Sequence, residues 1–340
     1  MTDSQLQLGF DTADMPVALG AKPKTRPKPR SVAATQAAPL PDAETMAAAL
    51  ARHPDYRVLR RLVPVHHFDQ MPQGSLIRVL VLDTETTGLD QSRDKIIELA
   101  MLQVDVDVVT GLPVGDVAIY DGLEDPGIPI SSEIQAITGI SSEMVRGHRL
   151  DEARIAAMLQ GADLVIAHNA GFDRPFCEAR IAAFAQLPWS CSFVDIDWKK
   201  EGHGSSKLEY LAMEKGRFYE AHRAEVDCHA LLAVLGEKLP TSSRTGLAQL
   251  IAASRLPSYR LQATSAPFDA KDLLKARAYR WNAEQKVWHT RLDSEAQLTA
   301  ELEWLKSAVY GNRPARVQVE KLDAAVKYSS RAGELSNRQI

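Results

Sequence analysis

The apolar residues between positions 76 and 240 form three strand-like runs in succession, and then segments that alternate between helical and strand periodicity. The three leading runs are residues 77–83, 95–108 and 116–123. The later segments are helices at 150–160, 172–186, 205–216 and 224–239, and strands at 162–168 and 191–196. Successive strands pair directly, whereas strands separated by helices are joined by crossovers. The pattern therefore predicts an α/β domain with a mixed sheet and helices packed on its faces.

The rest of the chain has a different character on each side of this domain. We predict a disordered tail at residues 1–43 and a helical lead-in at 44–75, with its helix at 43–62. The α/β domain at 76–240 is followed by a linker at 241–257, a small α+β module at 258–312 and a polar tail at 313–340.

Composition limits the class of protein. No apolar run approaches the about 20 residues that cross a bilayer, so no membrane association is expected. The start of the chain lacks a signal-peptide pattern, and the three cysteines, Cys177, Cys191 and Cys228, lack metal-ligand spacing. We expect a cytoplasmic protein with buried free thiols.

Charge is unevenly distributed along the chain. The net charge is −4, but residues 258–340 contain 14 Lys and Arg against 10 Asp and Glu. The last quarter therefore carries +4 and the remainder −8. An acidic domain with a basic appendage is typical of an enzyme that holds cations and binds a polyanion elsewhere.

The first polar motif closes the first strand, in the text VLDTETTGLD. Asp83 and Glu85 are two positions apart, so both carboxylates point to the same side of an extended backbone. Two divalent cations about 4 Å apart need bridging carboxylates of this kind. The alternative interpretation is a solvated strand end.

Two more motifs follow. In AHNAGFD, Asn169 lies where a strand ends and Asp173 lies where a helix begins, so Asp173 could equally be a helix cap. In AHRAEVDCHALL, His222 lies just before or at the start of a helix that contains Asp227. A histidine there can take a proton from water, or it can be an ordinary surface imidazole.

The first motif supplies two carboxylates, the second motif supplies a third carboxylate, and the third motif supplies a histidine and a fourth carboxylate. The arrangement over residues 76–240 resembles the DEDDh exonuclease family, which includes proofreading epsilon subunits, RNase T and ExoX-like nucleases. The texts EDPGIPISSEIQAITGISSEMV and SSKLEYLA are also similar to that family. The resemblance implies an RNase H-like mixed sheet and a metal-dependent 3′–5′ exonuclease that releases 5′-mononucleotides.

The resemblance also implies roles for individual residues. Asp83, Glu85, Asp173 and Asp227 would hold two Mg²⁺ or Mn²⁺ ions, and His222 would be the general base. The residues expected to position the terminal nucleotide are Thr86, Thr87, Gly88, Leu89, Asn169 and Phe172.

The amino-terminal text QLQLGF resembles the hexapeptide by which bacterial polymerases and repair proteins dock on the sliding clamp. Leu6, Leu8 and Phe10 could fill an apolar groove while Gln5 hydrogen-bonds at one end. The alternative is an ordinary apolar patch in a tail.

The carboxy-terminal module interleaves aromatic and basic residues, a pattern that can stack bases and neutralise phosphates. The cations are Arg277, Arg280, Lys286 and Arg291. Alternatively Trp281, Trp288 and Trp304 build the core of the module, and we expect this of at least two of them.

The sequence thus predicts an exonuclease acting on DNA 3′ ends, single-stranded or frayed, in repair or proofreading. An exoribonuclease would use the same chemistry on RNA, since 2′-OH contacts depend on local shape. A non-catalytic adaptor for clamp and nucleic acid is the alternative of another class.

Overall fold

The computed structural model of the protein describes residues 42–340. The strands in chain order are β1 Arg60–Arg61, β2 His67–Phe68, β3 Leu76–Thr86, β4 Ile96–Asp107, β5 Pro113–Leu123, β6 Leu164–Ala167, β7 Trp189–Cys191, β8 Arg217–Phe218, β9 Ser258–Ala263, β10 Arg280–Asn282, β11 Val287–Leu292, β12 Arg316–Leu322 and β13 Glu334–Gln339. The α-helices are α1 Ala43–Ala51, α2 Ser132–Thr138, α3 Ser142–Val145, α4 Glu152–Gln160, α5 Ala170–Arg180, α6 Leu208–Glu214, α7 Ala224–Leu235, α8 Gly246–Ser254, α9 Lys271–Ala276 and α10 Glu295–Trp304. The clamp-like segment Gln5–Phe10 lies outside the described residues.

The main sheet has six strands in the order β2-β5-β4-β3-β6-β7. Strands β2 to β5 pair antiparallel, whereas β6 and β7 add parallel to β3. Three consecutive strands pair as hairpins, and the later strands return through helices, as the pattern of apolar runs predicts. The predicted mixed sheet with flanking helices is confirmed.

Both faces of this sheet are covered by apolar side chains. The residues of β3 alternate between two cores: Val79 and Val81 pack with α6, α7 and α8, whereas Leu80 and Leu82 pack with α4 and α5. Burial on both faces explains why β3 and β4 are nearly continuous apolar runs. Asp83 and Glu85 continue the alternation of Val79 and Val81, which places them on the α7 side of the sheet.

The predicted helix at 43–62 is wrong beyond its first half. Helix α1 ends at Ala51, and its first turn is capped by Asp42, whose carboxylate accepts from the Thr45 amide at 3.0 Å. Pro54 follows soon after, and a proline disfavours helical backbone at the residue before it. A compact unit begins at His53 and includes everything from there onward.

The predicted linker at 241–257 contains a buried helix instead. Helix α8 is capped by the Thr245 side chain, and its Leu247, Leu250 and Ile251 belong to the core beneath the main sheet. These three residues are spaced so that they lie on one face of a helix. The segment is too short for this helical spacing to be recognised from the sequence.

The carboxy-terminal module is an antiparallel sheet in the order β10-β11-β9-β12-β13, with α9 and α10 packed against its apolar face. The predicted small α+β module is confirmed, but its predicted end at residue 312 and the predicted polar tail at 313–340 are wrong. Residues 316–322 and 334–339 form β12 and β13, and Val317 and Val319 are buried in the core of the module.

The segment between β12 and β13 joins the module to the α/β domain. The Arg174 guanidinium is fully buried, and it donates to the carbonyls of Ala324 at 3.2 Å and Lys327 at 2.6 Å. The Trp189 amide also donates to the Ala324 carbonyl, at 3.1 Å. The two parts of this unit therefore share a hydrogen-bonded interface.

The strand predicted at 191–196 is shorter and begins earlier. Strand β7 ends at Cys191, where the Asp195 carboxylate accepts from the Cys191 amide at 2.9 Å and closes a turn. The other Asp195 oxygen accepts from Arg291 at 2.8 Å and from the Tyr328 hydroxyl. Asp195 therefore anchors the carboxy-terminal module.

All three cysteines are buried and free, as predicted. Within residues 42–340 every helix is too short or too polar to cross a bilayer.

Candidate active site

Three of the predicted carboxylates meet at one edge of the main sheet. Asp83 and Glu85 lie at the end of β3, and Asp227 lies in the first turn of α7, which packs on β3 and β4. One carboxylate oxygen of each lies within 4.8 Å of the others. Within residues 42–340 this is the only cluster of acidic, histidine or cysteine ligands that could hold a metal ion.

Asp173 approaches from the opposite face of the sheet. It lies in the first turn of α5 and is 2% exposed. Its Oδ1 accepts from the Thr84 hydroxyl at 2.8 Å and the Thr84 amide at 3.2 Å. Asn169 precedes α5 as its cap residue, so the alternative role of Asp173 as the helix cap is wrong. A bond to Thr84, between Asp83 and Glu85, fixes the fourth carboxylate beside the other three.

All four carboxylates have a raised pKa, and burial is the first cause for each. Burial, followed by the charge of Asp173, raises the pKa of Asp83 well above its usual range. Burial, followed by Asp227, raises the pKa of Glu85 to about 8. Burial raises the pKa of Asp173 to about 7 and that of Asp227 to about 6. Ionised together, these groups are unstable without positive charge between them.

This donor set fits divalent cations. Hard ions such as Mg²⁺ and Mn²⁺ prefer carboxylate oxygens, and the cluster supplies four carboxyl groups without a nitrogen or sulfur ligand among them. Mutual repulsion in a buried site is the condition that a bound cation relieves.

His222 lies at the mouth of the cluster in a backbone conformation that few residues adopt. Its φ is 67°, in the left-handed region, which costs energy in a residue other than glycine. The next residue, Arg223, donates its amide to Asp227 Oδ2 at 3.0 Å. The turn that holds His222 is thus tied to a predicted metal ligand.

Glu98 holds this turn in place, although the sequence motifs did not predict a role for it. It is fully buried on β4, directly opposite Glu85. Its carboxylate accepts from Arg223 Nη2 at 2.8 Å and Nε at 3.0 Å, and from the Ala224 amide at 2.9 Å. A lone glutamate inside the apolar run KIIELAML was the signal that could have revealed it.

A cavity of about 600 Å³ opens above the carboxylates. Ten of the predicted residues line it: Asp83, Glu85, Thr86, Gly88, Leu89, Asn169, Phe172, Asp173, His222 and Asp227. Leu89 is 78% exposed at its rim, and Ile134 and Ile137 of α2 add an apolar wall.

Thr87 is the exception among the predicted residues. Its amide donates to the Lys95 carbonyl at 2.9 Å, and its hydroxyl donates to Asp94 at 3.0 Å. These bonds close the loop after β3, so Thr87 turns away from the cavity and its backbone donor is already used.

The cavity also contains residues that the motifs did not indicate. Phe193 packs edge-on against His168, with ring centroids 5.6 Å apart, and both line the wall beside Asn169. Lys207 adds a positive charge, and Tyr219 lies near Asp227. Burial raises the pKa of Tyr219, and the charge of Asp227 raises it further. In the structure these residues lie in turns and loops between the helices and strands.

The interleaved cations and tryptophans of the carboxy-terminal module do not form one binding surface. Arg277 pairs with Glu301 at 2.9 Å and stacks on Trp304, and Arg291 pairs with Asp195. Trp288 and Trp304 pack against the module core, which confirms a core role for two of the three tryptophans.

Comparisons with known proteins show what this chain is similar to. The family model described as "Exonuclease" (RNase_T) matches residues 80–235. The DNA polymerase III subunit epsilon of Treponema pallidum is 31% identical over 160 residues, which cover 44% of this chain and 71% of that protein. The PolC-type DNA polymerase III of Thermotoga maritima is 33% identical over 118 residues, which cover 34% of this chain and 8% of that much longer protein.

A solved structure of Escherichia coli ExoI with single-stranded DNA is also similar, at 17% identity and a TM-score of 0.40. The match covers 54% of this chain and 47% of that one.

Proposed function

The chain belongs to the DEDDh 3′–5′ exonuclease family, and from this premise we propose that it hydrolyses the terminal phosphodiester at DNA 3′ ends with two divalent cations and releases 5′-mononucleotides. The convergence of Asp83, Glu85 and Asp227 within 4.8 Å, with Asp173 bonded to the intervening Thr84, carries the proposal. A non-catalytic adaptor has no need of four mutually repelling carboxylates beneath an open cavity.

Divalent cations held by the four carboxylates would neutralise the scissile phosphate and make water a competent nucleophile at neutral pH. The chain's own groups would do the rest. His222 would accept the proton of the attacking water, because an imidazole nitrogen can act as a general base. The strained turn at His222, fixed by Glu98 and Asp227, would hold its ring in one position.

The cavity wall would position the terminal nucleotide. Asn169 has no capping bond to α5, which leaves its side chain available to a substrate. Leu89 and Phe172 on the rim would pack against the last bases, and Lys207 would offset phosphate charge. An open and partly apolar wall of this kind fits an unpaired or frayed 3′ end, as required in repair or proofreading.

The test is hydrolysis of 5′-labelled single-stranded DNA, duplex DNA and RNA, with Mg²⁺, with Mn²⁺ or with EDTA. We expect metal-dependent release of mononucleotides from DNA, and a loss of at least about 100-fold in kcat for Asp83→Asn and His222→Ala. Asp269→Asn and His148→Ala, which alter exposed residues outside the cavity, serve as matched controls.

If the wild-type protein releases no mononucleotides with either metal, the enzymatic proposal is wrong. Preferential hydrolysis of RNA would keep the mechanism and replace the substrate. Binding of DNA without turnover would favour the adaptor.

A further inference from the structure

A second cavity, of about 540 Å³, adjoins the candidate active site. It lies between the start of α5 and the sheet of the carboxy-terminal module, and we refer to it as the module groove. Asn169 lines both the module groove and the catalytic cavity, so the two meet at this residue. A strand whose 3′ end enters the catalytic cavity would therefore pass next to the module groove.

Strand register places several basic side chains on the groove side of the module sheet. Arg280 of β10 lies directly opposite His289 of β11, and Arg291 of β11 lies directly opposite Arg260 of β9. His289 and Arg291 are two positions apart, so all four side chains share one face of the sheet. The other face carries the apolar core of the module, including Leu261.

The charges that line the module groove have a single sign. Arg260, Arg280, Arg291 and Lys327 line it together with the imidazole of His289, and no aspartate or glutamate is among its lining residues. The catalytic cavity beside it is lined instead by five acidic residues: Asp83, Glu85, Asp173, Glu209 and Asp227. The groove is therefore a basic compartment next to an acidic one.

Some of these charges already have partners. Arg291 pairs with Asp195 at 2.8 Å, and the buried Lys327 donates to the Ala253 carbonyl at 3.1 Å. Arg260 pairs with Glu320 at 2.8 Å while its side chain stays 45% exposed. Arg280 is exposed, and within residues 42–340 it has no ion pair. Arg280 is thus available to an incoming anion.

The groups around Arg280 also favour an anion. Burial lowers the pKa of His289, and the neighbouring Arg260 and Arg280 lower it further, so the imidazole is disfavoured as a cation while these positive charges are uncompensated. A phosphate bound beside Arg280 would offset this repulsion.

We propose that the module groove binds the phosphodiester backbone of single-stranded DNA upstream of the 3′-terminal nucleotide, with Arg280 and Arg260 as the phosphate contacts. The proposal rests on the proposed exonuclease function. The volume of the module groove is within the range of small-ligand sites, so the groove admits a short stretch of one strand rather than a duplex. The module thereby becomes part of the substrate site, and the protein contacts the strand beyond its last nucleotide.

The test is fluorescence anisotropy with 5′-fluorescein oligo-dT of three, six and twelve nucleotides, bound to the full chain in Ca²⁺ so that binding is read without turnover. We expect wild-type affinity to rise with length. Arg280→Ala should weaken the twelve-nucleotide complex and reduce its salt slope by about 0.7, the value for one phosphate contact on a single strand. Arg280→Glu should weaken that complex by at least about 10-fold.

Three controls make the test specific to the module groove. Arg313→Ala removes an exposed arginine of the same module that does not line the groove. Trp281→Ala alters the half-exposed tryptophan on the opposite face of the β10–β11 hairpin. Hydrolysis of the p-nitrophenyl ester of thymidine 5′-monophosphate, which fills the catalytic cavity alone, should be unchanged in Arg280→Ala.

An unchanged affinity and salt slope in both Arg280 variants overturns the proposal, as does a larger loss from Arg313→Ala or Trp281→Ala. Absence of hydrolysis by the wild-type protein would instead refute the proposed function, because the binding measurement does not depend on turnover.

Discussion

Replacing Glu85 with glutamine should stabilise the metal-free protein. In the folded chain the pKa of Glu85 is raised from 4.5 to about 8 by burial and by the charge of Asp227. A carboxyl whose folded pKa is raised favours folding when it is protonated. That stability is therefore present below pH 4.5 and is lost as the pH rises through about 8.

The magnitude follows from the same values. At about 1.36 kcal/mol for each pH unit, a pKa moved from 4.5 to about 8 corresponds to about 5 kcal/mol of destabilisation at high pH. Movement of the carboxylates and sodium ions in the cavity reduce this cost in solution, and we expect Glu85→Gln to gain at least about 1 kcal/mol at pH 8. At about 2 °C for each kcal/mol in a chain of this size, the gain is a measurable rise in Tm.

The assay is thermal unfolding in EDTA at pH 8 and pH 5, with Glu303→Gln, an exposed helix residue, as the matched control. The gain should be large at pH 8 and small at pH 5, where Glu85 is already protonated in the folded chain. Added Mn²⁺ should raise the Tm of the wild type more than that of Glu85→Gln, since a ligand that binds only the folded state stabilises it. A lower Tm for Glu85→Gln in EDTA at pH 8, or an equal gain at both pH values, would refute the reasoning.

Three further outcomes are expected. Glu98→Gln should lower kcat by about 10- to 100-fold with little change in KM, because loosening the turn before α7 displaces the general base without touching the substrate. A loss of DNA affinity as large as the loss in kcat would contradict this. Deleting residues 258–340 should lower the Tm of the remaining chain, because Arg174 keeps its ion pair with Glu178 but loses the carbonyls of Ala324 and Lys327 and the segment that buries it. A truncated chain with an unchanged Tm would contradict this. A peptide of residues 1–14 should bind a bacterial sliding clamp in a calorimetric titration, and Leu8→Ala with Phe10→Ala should abolish that binding in the full chain; retained binding by the double variant would exclude the motif.

The sequence alone was sufficient for the parts of the protein that depend on local periodicity. The alternation of β3 determined that Asp83 and Glu85 share one side of the sheet, and the order of the strands determined that their ends meet at one edge. The helical spacing of α7 likewise placed Asp227 near the start of its helix. The resemblance carried by the three motifs then connected these local facts to one site.

Contacts between distant segments were decided only by the tertiary structure. The bond from Thr84 to Asp173 and the ion pair from Glu98 to Arg223 join residues 89 and 125 positions apart, which no local pattern records. The sequence predicted a polar tail where β12 lies, because the burial of β12 comes from pairing with β9, more than fifty residues earlier in the chain. The module groove depends on the same packing, since the side of a sheet that faces another domain is a property of the folded chain and not of its sequence periodicity.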